Sequence, residues 1–317
     1  RTGGVLLRNL ESQGTHKFDR TGKLIVTLNL LCDRLLLLKP SWLPTLLLIP
    51  LLYLLGWIIC APLVWLGLPS SQQSLVGTVI SILLLLLLLP TWCRLRWNTH
   101  QCWRSLGLSG GGRNNRRRLS SALLRGLFLA AVLLALMTTS LLMGSWAHWL
   151  GEWSLSSSLN ALALLLGVGL AEELIFRSWL WRELDQLIGP APAVAGQALI
   201  FSLVHARFNL GFWPMVGLLI GLFLLGLCLA VQRRLDGGSL WGCVGLHGGL
   251  VAGWFLLQNG LLQLSPDAPA WLVGPGNANA NPLGGAVGLI GLLVLLLFQL
   301  TAVARALRPV SGARRAS

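Results

Sequence analysis

Charge is what this chain of 317 residues has least of. Charged residues make up 11% and acids number only ten, against 55% hydrophobic residues and a mean hydropathy of +0.72. Soluble domains carry about 25% charge, so a water-soluble globular fold is excluded. Cysteine is sparse in any useful pattern. Cys32, Cys60, Cys93, Cys102, Cys228 and Cys243 show no CxxC spacing and mostly lie in or beside apolar runs. That excludes a disulfide framework or a zinc knuckle and leaves small buried hydrophobes. No HExxH element occurs, so the helical zinc-protease signature is missing. The formal net charge of +14 comes without a basic helix or an aromatic RNA-binding pattern, which excludes a nucleic-acid partner. No cleavable signal pattern is visible.

Long apolar runs are what the chain has instead. A spanning helix needs about 20 apolar residues, and eight candidates stand at roughly 42–67, 74–93, 119–147, 157–187, 191–209, 211–231, 239–258 and 284–306. The expected fold is an all-α polytopic transmembrane helical bundle, with membrane lipids as its first partners. Arg94, Arg96, Arg104, Arg113 and Arg116-Arg117-Arg118 share the connection between spans two and three. Such clusters mark the cytoplasmic side. Threading from there puts Arg182, Arg233-Arg234, the C-terminal arginines and both termini on that side, and loop 259–283 on the other. The organisation read from this is a 1–40 arm with an interfacial helix, three helices over 41–147, a membrane core over 148–309 and a basic tail over 310–317.

One of these runs carries the chemistry. Glu172 and Glu173 stand inside the apolar stretch 159–187, followed by Arg177. Ionised carboxylates at membrane depth are expensive and mark functional sites by default. Glu173 and Arg177 are spaced for an i,i+4 ion pair with the acid first, so Glu172 must find its partner on another helix. His205 and Glu172 are nearly equidistant from Gly189-Pro190. A helical hairpin turning there puts both at one depth, about 20–25 Å from the turn. His247 lies on a later run whose Gly245, Gly249 and Gly253 form a small-residue face for close helix approach. His148, in a Trp-rich stretch, reads as an interfacial residue without chemistry.

The elements Glu172-Glu173-xxx-Arg177, Phe201-xxx-His205 and His247 resemble the CPBP (ABI) family of intramembrane proteases, which includes the type II CAAX prenyl endopeptidases. The likeness covers about residues 157–258. It implies that Glu172 acts as general base on a water, that Glu173 and Arg177 complete its motif, and that His205 and His247 help hold the water. A membrane-protein or lipidated peptide is the implied substrate, and the aqueous cavity is expected to open to the cytoplasmic side. The sequence departs from the family at Val251, where a polar residue often stands one turn after the last histidine. A donor there would serve the developing oxyanion, and valine cannot donate. Glu172, His205 and His247 with a water match a catalytic zinc site in ligand count, and a metal-free mechanism uses the same residues. Two other functions compete: a proton or solute transporter, against which no inverted repeat is visible, and a family member without peptidase activity serving as scaffold or immunity factor.

Overall fold

The computed structural model describes residues 41–110, 115–276 and 280–306. The expected arm and interfacial helix over 1–40, the tail over 310–317 and Cys32 lie outside the described residues. The chain is an all-α membrane bundle. Its elements are α1 (Trp42–Trp65), α2 (Ser70–Arg96), the short α3 (Cys102–Ser105), α4 (Asn115–Met143), β1 (Ala147–Trp149), α5 (Leu155–Glu173), a π-helical segment (Leu174–Leu180), α6 (Trp181–Ile188), α7 (Pro190–Leu203), α8 (Phe212–Leu235), α9 (Trp241–Leu256), β2 (Leu262–Leu264), the short α10 (Ala270–Val273) and α11 (Ala286–Ala306).

Among the described residues six helices are long and apolar enough to cross a membrane: 42–65, 70–97, 116–143, 155–188, 212–235 and 286–306. The two remaining expected spans exist as helices, but shorter ones. α7 has 14 residues and α9 has 16, about 21 and 24 Å of rise. α7 stops where the chain turns at Val204–His205, and α9 loses helical geometry at Asn259 and Gly260. Neither needs to match the hydrocarbon thickness. α9 is buried on most of its surface within the protein, and backbone buried in protein escapes the demands that lipid makes. The shorter α7 leads directly to His205, and α9 carries His247.

The bundle has two chemically different ends. At one end the basic connections meet: Arg182 stacks on Trp97, Arg233 and Arg234 lie against Trp181, and Arg125 pairs with Asp236 at 2.5 Å. At the other, β1 and β2 pair antiparallel, with His148 opposite Gln263. His148 is exposed there, with Nε2 3.3 Å from Ser265 Oγ. The sequence pattern had shown no strands. They are three residues each and too short to leave a periodic signal.

The glycine face on α9 makes the close helix approach expected of it, and the structure supplies its neighbour. Gly245, Gly249 and Gly253 face α4, where an added methyl would meet Leu123, Ala130 and Leu134 respectively. The approach to α5 is made instead by Gly248 and Gly169. A methyl on Gly248 would stand 2.6 Å from Leu165 O, and one on Gly169 2.8 Å from Gly248 Cα. A small-residue repeat shows that close packing occurs without naming the neighbour.

Candidate active site

The site grows from the junction of α5 with the π-helical segment. Glu172 and Glu173 are the last residues of α5, and Arg177 lies within the π turns. π-bulges recur at functional sites because the widened turn redirects side chains and frees carbonyls. Here the freed groups are taken up locally. Arg233 donates to the Arg177 carbonyl, and Ser178 Oγ donates to Leu106 O at 2.7 Å. Gly189, at φ +85°, then turns the chain, and Pro190 opens α7, as suits proline at a first helical position.

The hairpin brings His205 back to the level of Glu172. His205 Nε2 lies 3.6 Å from Glu172 Oε2, and His247 Nε2 lies 3.8 Å from the same oxygen. Neither is a hydrogen bond, and Glu172 Oε2 has no hydrogen-bond partner among the described residues. The outer nitrogen of each ring is anchored. His205 Nδ1 donates to Phe201 O at 2.7 Å, and His247 Nδ1 donates to Glu173 Oε1 at 2.8 Å. A carbonyl only accepts, so His205 carries its hydrogen on Nδ1, and the carboxylate of Glu173 imposes the same tautomer on His247. Two imidazole lone pairs and one carboxylate oxygen thus face a common point. Such a constellation is relieved by a proton-donating guest.

Glu173 does more than the sequence suggested. Its Oε1 lies 3.2 Å from Arg177 Nη1, both side chains being fully buried, and it also orients His247. The Arg177 contact is electrostatic rather than aligned, since none of its guanidinium nitrogens makes a hydrogen bond among the described residues. The guanidinium instead lies 3.9 Å from the centre of the Phe201 ring. Phe201 also packs against both imidazoles, which explains an aromatic four residues before His205: it forms the floor under both rings.

Glu172, His205, His247 and Val251 all line a cavity of about 380 Å³, while Glu173 and Arg177 lie behind its wall. The cavity runs past Trp254 and Gln258 to Asn281–Leu283, the end opposite the basic connections. The sequence reading expected an opening on the basic side. The reason for the difference is that Leu174, Leu180, Leu240 and Val244 fill the bundle below the site.

The donor set has the chemistry of a zinc site, two anchored imidazoles and a carboxylate. Among the described residues, however, no group of three or more His, Cys, Asp or Glu side chains is set to hold a metal ion. No step is derived through a metal.

Sequence reasoning missed Glu183, which it placed at the exit of the fourth span. Glu183 is fully buried. It accepts from Thr45 Oγ1 at 2.6 Å, Trp92 Nε1 at 2.9 Å, Trp97 Nε1 at 2.7 Å and Arg96 Nη2 at 2.8 Å. The signal was present as Trp92, Arg96 and Trp97, spaced to put three donors near one helix face at the end of an apolar run. The five described cysteines are free and buried.

With this geometry in hand, comparison with known families is informative. Residues 153–253 match the type II CAAX prenyl endopeptidase Rce1-like family. This Rce1-like region holds every site residue named above, from Glu172 to Val251. Residues 22–101 match a separate family model, a domain of unknown function designated DUF8676, which takes in the α1–α2 hairpin and all four Glu183 donors, Thr45, Trp92, Arg96 and Trp97. No curated protein and no solved structure matched the chain.

Proposed function

We propose that the protein is an intramembrane endopeptidase in which Glu172 activates a water for peptide-bond hydrolysis. The observation that carries this reading is the convergence of two anchored imidazoles on one unpartnered carboxylate oxygen at the wall of a cavity. The similarity of residues 153–253 to the Rce1-like family supports it. A water seated among Glu172, His205 and His247 gives a proton to Glu172 as its oxygen attacks the scissile carbonyl. Its other hydrogen is donated to an imidazole Nε2, which holds the oxygen in place. Glu173 holds His247 in the required tautomer, and Arg177 lies beside Glu173 behind the wall. Glu172 then returns the proton to the leaving amine. The apolar walls suit a membrane-embedded or lipidated peptide. Both termini and the basic end are placed in the cytoplasm by arginine distribution, so the cavity opens toward the opposite leaflet.

Purified protein in liposomes, incubated with quenched fluorescent membrane peptides, tests the reading. Cleavage should occur and vanish in Glu172→Gln; equal cleavage by both proteins would sink it. Metal content of the same preparation decides separately whether zinc takes part. A second reading, a scaffold or immunity factor without peptidase activity, is favoured by one observation: Val251 faces the cavity where the family often has a polar residue. Absence of turnover with folded wild-type protein across a peptide library would favour it.

A further inference from the structure

The first turn of α4 holds Arg116, Arg117 and Arg118 and no acid. A helix N-terminus favours anions and disfavours cations, so these arginines crowd positive charge onto a positive helix end. The spanning stretch begins at Arg116, which puts this turn at headgroup level. The guanidinium groups of Arg117 and Arg118 are exposed and make no hydrogen bond or ion pair among the described residues. Both line a cavity of about 500 Å³ between α4 and the turn joining α8 to α9. Arg125 lines it too, held there by Asp236, the sole acid of the lining. The second oxygen of Asp236 accepts from Gln232 Nε2 at 2.8 Å, and its side chain is 1% exposed. One satisfied acid against three arginines leaves this cavity with excess positive charge.

The same face of α4 continues as an apolar groove. Arg118, Arg125 and Val132 recur every seven residues, close to two full turns, so they lie in line along the helix. From Phe128 to Ser140, α4 borders a second cavity of about 590 Å³, closed on its other side by Ile290, Val294 and Phe298 of α11. Its lining is apolar except for Ser140, whose hydroxyl donates to Leu136 O at 2.7 Å. Twelve residues of helix rise about 18 Å, close to the hydrocarbon depth of one leaflet, about 15 Å. Neither cavity is lined by Glu172, His205 or His247.

We propose that this face of α4 binds one anionic phospholipid. Its phosphate lies among Arg117, Arg118 and Arg125, and an acyl chain fills the groove against α11. A planar fork of donors suits phosphate oxygens, and the groove suits the chain that a soluble phosphate lacks. The site is independent of peptide hydrolysis.

The test uses full-length protein in an uncharged detergent, read by native mass spectrometry and thermal unfolding. Phosphatidylglycerol and phosphatidylcholine of matched chains are the probes. Wild type should retain one phosphatidylglycerol per chain, bind it about tenfold or more tightly than phosphatidylcholine, and melt at a higher temperature with it. The preference should shrink as salt rises. Arg117→Gln combined with Arg118→Gln should weaken phosphatidylglycerol by about fivefold per arginine, the worth of one basic residue near an anionic leaflet, and leave phosphatidylcholine unchanged. Val132→Trp, at an exposed position in the groove, should weaken retention of the lipid with all three arginines intact. Inorganic phosphate and glycerol phosphate supply the headgroup chemistry without a chain. Stabilisation by either that equals the lipid's, with Val132→Trp behaving as wild type, would replace the lipid by a soluble anion and overturn the proposal. Equal affinity of wild type for the two lipids would overturn it without recourse to any variant.

Discussion

Two carboxylates on one continuous helical stretch, the fully buried Glu183 and the half-buried Glu172, are surrounded in opposite ways. Glu183 is sealed, and both its oxygens accept hydrogen bonds from a threonine, two indoles and a guanidinium. Those donors come from α1 and from the end of α2 through Trp97, so the cluster fastens the N-terminal hairpin to the core. Glu172 is less buried, opens on a cavity, and has two imidazole nitrogens nearby but no hydrogen bond to its Oε2. The lesson is that burial alone does not mark a reactive acid. A carboxylate whose lone pairs are all filled is held in place, and one left short of donors can receive a proton.

The sharpest way to break this contrast is to neutralise each acid in turn. Glu172→Gln should lower turnover by about 10²–10⁴-fold, the usual worth of a general base, with thermal unfolding in detergent almost unchanged. Equal activity loss from Glu183→Gln without loss of stability would erase the distinction.

Glu183→Ala should act on stability instead, costing about 3–5 kcal/mol because the buried Arg96–Glu183 ion pair is broken. Differential scanning fluorimetry measures the shift, and limited proteolysis should find the α1–α2 hairpin loosened first. A variant that melts like wild type would show that the hairpin is held by apolar packing alone.

Glu173→Gln tests the contact behind the wall. Losing the anchor on His247 Nδ1 should reduce turnover by about 10–100-fold, the usual effect of removing a ring's orienting partner. A Glu173→Asp protein should recover more activity than Glu173→Gln if orientation by a carboxylate is the role. Matching activity in the two variants would reduce Glu173 to a packing residue.

Smaller effects are expected at the cavity wall and at the surface. Val251→Asn should be tolerated and raise turnover several-fold, since one oxyanion donor is worth up to about 3–4 kcal/mol when ideally placed and an unoptimised one less. Decreased turnover in the folded variant would mean that the apolar wall is itself required. Cysteines introduced at Ser109 and Asp267, which are exposed at opposite ends of the bundle, should react with impermeant reagent from opposite sides of a sealed vesicle. Labelling of both from one side would overturn the orientation drawn from the arginines.

Much of this protein could be read without coordinates, for identifiable reasons. Apolar runs of spanning length are local properties of a chain, so the helical membrane class and the six long helices were legible from composition and window alone. Equal distance from the Gly189-Pro190 turn is arithmetic on a helix of constant rise, so the meeting of Glu172 with His205 was legible too. Tertiary structure decided what depends on which neighbour a face meets. It turned the Gly245, Gly249 and Gly253 face toward α4, shortened the helices bearing His205 and His247, and aimed the cavity away from the basic end. It also gathered Thr45, Trp92, Arg96 and Trp97 around Glu183, a cluster drawn from three helices far apart in sequence. Periodicity along one helix records that a face is buried or small. Its partner is set by packing among all the helices at once, and no single segment carries that information.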